Sequence, residues 1–326
     1  MHAGVETQLF SAHSPADLDA AADLLRRGGL VAFPTETVYG LGGLALEPLA
    51  VRAIYAAKGR APTNPLIVHV LGEADARPLC ARWPIEAQQL VARFWPGPLT
   101  IVLPRTDRVP DEVTGGGPTV AVRAPSHPAA RNLLARVGAP LAAPSANRSE
   151  HVSPTTALHV LRDLNGRIDA VLDGGRCPVG IESTVMALTS QGARLLRAGA
   201  ISRAQLEELL GEVPDGAAGA LVPASPGQGK RHYAPAALVR LAPASSLARV
   251  AADLPGPVGA LVRSDAALPH TVIAVRLPAD PADYARDLYA AMRDLEDRGC
   301  TSICIESVPA TAEWDAVRDR LSRAAG

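Results

Sequence analysis

Two rhythms of apolar residues take turns along this chain. Short apolar runs bounded by glycine and proline predict buried strands, and longer stretches with apolar residues three and four apart predict amphipathic helices. Ser14-Pro15 is a helix start, and Ala16 to Arg27 keeps the helical spacing until Gly28-Gly29 ends it. Leu30 to Phe33 predicts a strand closed by Pro34, and Glu47 to Ala57 a helix running into Lys58-Gly59-Arg60. Further strands are predicted at Leu66 to Leu71, Leu99 to Leu103, Thr119 to Arg123, Leu141 to Ala143, Ile168 to Leu172 and Ser183 to Leu188. Helices fit Ile85 to Phe94, Pro128 to Val137, Pro154 to Leu164 and Ser202 to Leu210. Such alternation predicts a layered α/β sheet of mixed direction.

From Gly211 to Pro235 the periodicity is lost and Gly, Pro, Ala and Ser dominate, the composition of a linker. Its second half, Ser225 to Pro235, is richer in polar and basic groups than a plain spacer needs. Regular spacing then returns, with strands at Ala237 to Leu241, Val258 to Val262, Val272 to Leu277 and Ser302 to Ile305. Helices alternate with them at Ser246 to Asp253, Asp280 to Arg298 and from Ala312 onward. The pattern divides the chain into an α/β domain over 1–212, a linker over 213–235 and a smaller α/β domain over 236–326.

Composition narrows the function classes. With 326 residues, 48% hydrophobic and 20% charged, the chain has material for two soluble cores. A formal net charge of −1 and 3% aromatic residues argue against holding nucleic acid by bulk charge or by a run of stacking rings. Cys80, Cys177, Cys300 and Cys304 form no metal spacing with histidine and no disulfide framework, so they predict a reduced, cytoplasmic protein. No signal segment opens the chain and no apolar run reaches the ~20 residues of a membrane helix.

Familiar phosphate loops are excluded. Gly227-Gln228-Gly229-Lys230-Arg231 has alanine (Ala224) where a Walker loop has its first glycine, and Arg231 where Ser or Thr should meet magnesium. Gly40-Leu41-Gly42-Gly43-Leu44-Ala45 matches a dinucleotide fingerprint only loosely. Instead, short polar clusters sit at strand ends: Thr35-Glu36-Thr37, Thr119 and Arg123, Ser145-Ala146-Asn147 with Ser153 beyond, Glu182-Ser183-Thr184, and Arg197. Each alone is ordinary loop and cap chemistry, yet ligands of open α/β sheets bind beyond strand ends, where these clusters could converge. Glu36 and Glu182 fit a base, a magnesium ligand or an acceptor of backbone N–H groups equally well. His69, alone, is a core histidine. Lysine occurs only at 58 and 230, against thirty arginines, which points to places where a compact ammonium counts; beside that stand a solvated cation at a helix end for Lys58 and, as the preferred reading, a solvated linker cation for Lys230.

Taken in order, these segments closely resemble the threonylcarbamoyl-AMP synthase family, the YrdC-type domain. The resemblance rests on Phe33-Pro34-Thr35-Glu36-Thr37-Val38-Tyr39-Gly40-Leu41-Gly42, Lys58-Gly59-Arg60, Asn64-Pro65-Leu66-Ile67-Val68-His69 and Trp95-Pro96-Gly97-Pro98-Leu99-Thr100. It continues through Thr119 to Arg123, Ala143 to Asn147, Asp173-Gly174-Gly175 and Glu182 to Val185. His232-Tyr233-Ala234-Pro235 and the α/β unit after it resemble the longer, two-domain branch. The resemblance implies a twisted mixed sheet flanked by helices in the first domain and a Rossmann-like C-terminal domain, with the linker as a lid over the active site.

The implied activity is that of an L-threonylcarbamoyladenylate synthase, a nucleotidyltransferase. It joins L-threonine, bicarbonate and ATP into threonylcarbamoyl-AMP and pyrophosphate, for threonylcarbamoyladenosine modification of tRNA beside the anticodon. The implied partners are a downstream tRNA threonylcarbamoyltransferase and a weak tRNA contact, with no membrane. Carried over residue by residue, Lys58 and Arg60 would be catalytic, neutralising the triphosphate. Thr37, His69, Arg123 and Ser183 would bind L-threonine. Arg60, Asn64, Thr119, Ser145, Asn147, Ser153, Arg197 and Tyr233 would bind ATP. Mg2+ would arrive with ATP and take no ligands from the chain. Two rival readings, an RNA-binding module and a carbamoyl transferase of hydrogenase maturation, lack the basic charge and the zinc-finger cysteines they call for.

Overall fold

The computed structural model describes residues 6–216 and 233–326. Residues 217–232, which hold most of the linker and with it Lys230 and His232, lie outside the described residues. Two compact units emerge, one from residues 6–149, 154–178 and 182–216, the other from 150–153, 179–181 and 233–326.

The first unit runs β1 (Gln8–Ser11), α1 (Pro15–Arg26), β2 (Val31–Pro34), β3 (Tyr39–Leu44), α2 (Pro48–Lys58), β4 (Ile67–His69), α3 (Glu73–Ala76), α4 (Ile85–Phe94) and β5 (Leu99–Pro104). It continues through α5 (Asp111–Thr114), β6 (Thr119–Arg123), α6 (Pro128–Val137), β7 (Leu141–Ala142), α7 (Ala157–Leu164), β8 (Ala170–Asp173), β9 (Thr184–Thr189), β10 (Gly192–Arg197) and α8 (Arg203–Leu210). The strands form a mixed ten-stranded sheet in the order β1-β8-β2-β3-β7-β4-β6-β5-β9-β10.

Strand alternation gives this sheet two different faces. Ala32, Val68, Val120, Val122, Leu99, Ile101, Leu103, Met186 and Leu188 point into one large core. On the other face, Val31, Phe33, Ala170 and Leu172 are covered by Leu18, Ala21, Ala22 and Leu25 of α1 and by Ala129, Ala130, Leu133 and Leu134 of α6. Farther along that same face, Ile67, Val102, Ala121, Val185, Ala187 and Leu196 form a small separate apolar cluster to which strands alone contribute.

Helix ends obey local chemistry. Ser14 caps α1 by accepting from the Asp17 amide, and Ser202 with Gln205 makes a capping box on α8. The helix expected from Pro154 begins at Ala157, because the Thr156 side chain accepts from the His159 amide and sets the start there. Strands β1 and β3 were not expected. The first is an exposed edge without an apolar run, and the second is rich in glycine, which disfavours strands unless close packing demands it. Here it does: a Cβ on Gly42 would lie 2.7 Å from the Phe33 ring and 3.2 Å from the Val31 carbonyl. The glycine run is therefore a strand paired antiparallel with β2 and no dinucleotide turn.

The second unit holds β11 (Leu238–Ala242), α9 (Leu247–Asp253), β12 (Val258–Val262), β13 (Ile273–Arg276), α10 (Pro281–Asp297), β14 (Ser302–Glu306) and α11 (Asp315–Ala325). Its four strands are all parallel, in the order β11-β14-β12-β13. That is the Rossmann-like layering the resemblance implied. Asp280 caps α10 through the amides of Ala282 and Asp283. Among the described residues no helix is long and apolar enough to cross a membrane, and all four cysteines are buried and unpaired.

Gly42→Ala is expected to destabilise the chain by about 1–3 kcal/mol, since the new methyl meets an aromatic ring and backbone that cannot both retreat. Urea unfolding of the variant checks this, and an unchanged midpoint would show that the β2–β3 contact is slack.

Candidate active site

Sheet register decides which polar residues meet. β4 and β6 are parallel with His69 beside Arg123 and Ile67 beside Ala121. β5 crosses β6 antiparallel with Ile101 opposite Val122, so Thr100 falls opposite Arg123 one residue on. Thr100 also pairs with Val185 of β9, and Arg197 of β10 lies across from that same Val185. His69, Arg123, Thr100, Val185 and Arg197 thus make one row across five adjacent strands, and Ser183, two residues before Val185 and just ahead of β9, reaches that row at Thr100.

Arg123 is the centre of the row. Only 4% of its side chain is exposed, and its guanidinium is held on three sides. Nε donates to the Gly97 carbonyl at 3.3 Å and Nη1 to Thr37 Oγ1 at 3.0 Å. Nη2 lies 2.8 Å from Glu36 Oε1 in a buried ion pair. The angle of that pair leaves both atoms without a hydrogen bond of their own. Glu36 Oε2 accepts from the Ser126 amide at 3.1 Å. Burial by itself would raise the Glu36 carboxyl, but the Arg123 charge and nearby backbone amides outweigh it and hold the group below its usual range. Of the roles left open for Glu36, the geometry is that of an acceptor and counterion. Thr37 is buried and shares a 2.8 Å hydroxyl contact with Thr35.

His69 is buried at the end of β4, edge-on to Phe33 at 6.2 Å. Burial, and next the Arg123 charge, lower its pKa to about 3, so the ring is neutral at ordinary pH. At the far end of the row Ser183 Oγ meets Thr100 Oγ1 at 2.7 Å and accepts from Arg197 Nη2 at 3.1 Å. Arg197 Nε donates to the Ser183 carbonyl at 3.0 Å. Sequence reasoning left Thr100 without a role and Glu36 with several. Both stood inside quoted motifs, but only the register reveals their partners.

A second polar group gathers at the opposite ends of β4 and β6. The His69–Arg123 register carries back to Pro65 beside Thr119, four residues or about 13 Å along the strands. There Arg60, buried, donates to the carbonyls of Asn64 at 3.2 Å and Pro65 at 3.1 Å. Half-buried Asn64 accepts also from the Tyr55 hydroxyl at 2.9 Å. β7 runs antiparallel to β4 and delivers the Pro144–Asn147 loop to the same end. In that loop Ser145 Oγ lies 2.5 Å from Asn147 Oδ1. Lys58 is buried, not solvated, and its ammonium donates to the carbonyls of Ser145 and Asn147.

The structure therefore brings Thr37, His69, Arg123 and Ser183, the four expected threonine ligands, to one strand end. It brings Lys58, Arg60, Asn64, Thr119, Ser145 and Asn147 to the other, with the apolar cluster of Ile67 and Ala121 between. Arg197, expected with the nucleotide, stands with Ser183. Ser153 and Tyr233 belong to the second unit. Tyr233 is buried there, stacked on Tyr289 at 6.2 Å with the Arg320 guanidinium 5.2 Å from its ring, at a positive φ of 59°. Among the described residues no group of three or more His, Cys, Asp or Glu side chains could hold a metal.

Residues 23–199 match the family described as Telomere recombination, and residues 201–326 match the family described as Threonylcarbamoyl-AMP synthase, C-terminal domain. The threonylcarbamoyl-AMP synthase of Pyrococcus abyssi is 40% identical over 320 residues, covering 94% of this chain and 93% of that relative. Its Bacillus subtilis counterpart is 40% identical over 332 residues, covering 98% and 96%. The crystal structure of P. abyssi Sua5 complexed with L-threonine matches with a TM-score of 0.90 at 37% identity, over 98% of this chain and 97% of that one.

Between the usual histidine value of 6.5 and the folded value of about 3, the unfolded chain binds a proton at residue 69 that the folded chain refuses. Stability accordingly falls as pH drops through that window, by at most ~1.4 kcal/mol per pH unit from this group. Glu36 works lower: its depressed carboxyl stabilises fully above the unfolded value of 4.5 and loses that contribution as pH falls through the folded one. His69→Gln is expected to flatten the decline between pH 6.5 and 4.5 in urea titrations. Parallel slopes for the two proteins would show that His69 titrates normally.

Proposed function

We propose, from the premise that this chain belongs to the threonylcarbamoyl-AMP synthase family, that it condenses L-threonine, bicarbonate and ATP into threonylcarbamoyl-AMP and pyrophosphate. The product serves threonylcarbamoyladenosine modification of tRNA. The observation that carries this reading is likeness to named synthases along nearly the whole chain, through both units. The relative solved with L-threonine supports an amino acid as one substrate.

In our reading the threonine amine adds to bicarbonate, giving a carbamate and water. A carbamate oxygen then attacks the α-phosphorus of ATP and pyrophosphate leaves. Little covalent work falls to the protein, so positioning and charge neutralisation dominate. Arg123 grips the threonine carboxylate, for which a guanidinium offers paired donors. Thr37, His69 and Ser183 complete that end, and a neutral His69 suits a hydrogen bond to the substrate better than a second cation would. Arg60 with Asn64, Thr119, Ser145 and Asn147 serves the nucleotide end, and the intervening apolar floor separates the two. By the family pattern Ser153, Arg197 and Tyr233 add nucleotide contacts. Magnesium enters on the ATP phosphates as part of the substrate and keeps most of its waters. A tRNA threonylcarbamoyltransferase consumes the product, and four unpaired cysteines suit a reducing, cytoplasmic setting.

Pyrophosphate release by the purified chain is expected to need both L-threonine and bicarbonate; release indifferent to threonine would overturn the reading. Arg123→Lys is expected to raise the KM for threonine about tenfold, the worth of one charge-assisted hydrogen bond, and to leave the KM for ATP nearly unchanged. A matching rise for ATP would dismiss the assignment of the two ends.

A further inference from the structure

Lys58 ends α2, and Gly59 after it takes a left-handed φ of 63° that turns the chain away from the helix. The lysine is 3% exposed. Its three ammonium N–H groups face three acceptors: the Ser145 carbonyl at 2.5 Å, the Asn147 carbonyl, and Asn147 Oδ1 at 3.5 Å. An ammonium so occupied has no donor to spare for a phosphate oxygen.

The loop it grips is also fastened from its other side. The Leu41 amide donates to the Pro144 carbonyl and the Ala146 amide to the Tyr39 carbonyl, each at 2.8 Å. Beyond it the Ser149 amide donates to the carbonyl of Lys58 itself at 2.9 Å.

Resting on the synthase reading above, we propose that Lys58 is a positioning residue: it clamps the Pro144–Asn147 loop so that Ser145 and Asn147 meet the nucleotide, and does not itself touch the triphosphate. This replaces the direct phosphate contact expected from the sequence. It also explains why a chain that uses arginine thirty times keeps lysine here. Three acceptors converging on one point suit a tetrahedral ammonium, whereas a guanidinium spreads its donors in a plane. Burial and the nearby Arg60 charge press the group well below the usual lysine range, while Asp163 pulls it back. The three oxygen acceptors favour the charged form as well.

The test compares ligands that differ only in phosphate. Dissociation constants for ATP and for adenosine are measured with the wild-type chain, Lys58→Ala and Lys58→Gln. A clamp predicts that Lys58→Ala weakens both ligands by the same factor, about tenfold or more. It also predicts that Lys58→Gln, whose amide can still donate to two carbonyls, recovers part of both losses. Weakening confined to ATP would mean direct phosphate contact and overturn the proposal, as would unchanged affinity for both. Should Lys58→Ala fail to fold, Lys58→Gln carries the same comparison. A wild-type chain that binds neither ligand would overturn the synthase reading, and this inference with it.

Discussion

A buried guanidinium with a buried carboxylate beside it organises the first unit. Arg123 closes β6, and placing its charge inside the protein is costly unless a counterion and good acceptors travel with it. Glu36 supplies the charge from the β2–β3 turn, Gly97 a carbonyl from the segment leading into β5, and Thr37 a hydroxyl. One cation therefore joins three stretches of chain that lie 26 to 87 positions apart. The same cation helps keep His69 neutral, which is why a histidine can stand next to an arginine in the interior. The arrangement leaves Arg123 Nη2 paired with Glu36 at 2.8 Å yet without a hydrogen bond of its own.

The sheet supplies the distance between the two chemistries. Residues four apart on β6 share a face, so Thr119 and Arg123 stand at opposite ends of one stripe with Ala121 between them. The large core packs behind that stripe, and α1 with α6 covers only the half of the face built on β8, β2 and β7. What remains is a floor of small and branched apolar side chains with polar groups at each end. A substrate with an amino acid at one end and a nucleotide at the other matches that layout.

Much of the plan was legible from one strand or loop at a time. Alternation in Thr119 to Arg123 and in Leu99 to Leu103 revealed strands with one face for the core, and Ser14, Ser202 and Pro128 marked helix starts. The polar motifs could be located, because chemistry at strand ends interrupts apolar periodicity. Local pattern failed where close packing overrides propensity: the glycines of Gly40 to Gly43 resembled a loose dinucleotide fingerprint and predicted no strand, and only the Phe33 ring against Gly42 shows why they form one.

The sequence by itself determined most of the strands and helices, the two-part organisation, and the residue types able to recognise a carboxylate and a nucleotide. Tertiary structure alone decided who meets whom. Strand order set His69, Arg123 and Thr100 in one row with Ser183 beside Thr100, made Glu36 a counterion, and brought the Lys58 ammonium to two carbonyls nearly ninety positions away. It also placed Ser153 and Tyr233 in the second unit. The physical reason is range. Periodicity and capping arise from neighbours within a few residues, whereas pairing between strands is settled by burial and hydrogen bonding summed over the whole sheet.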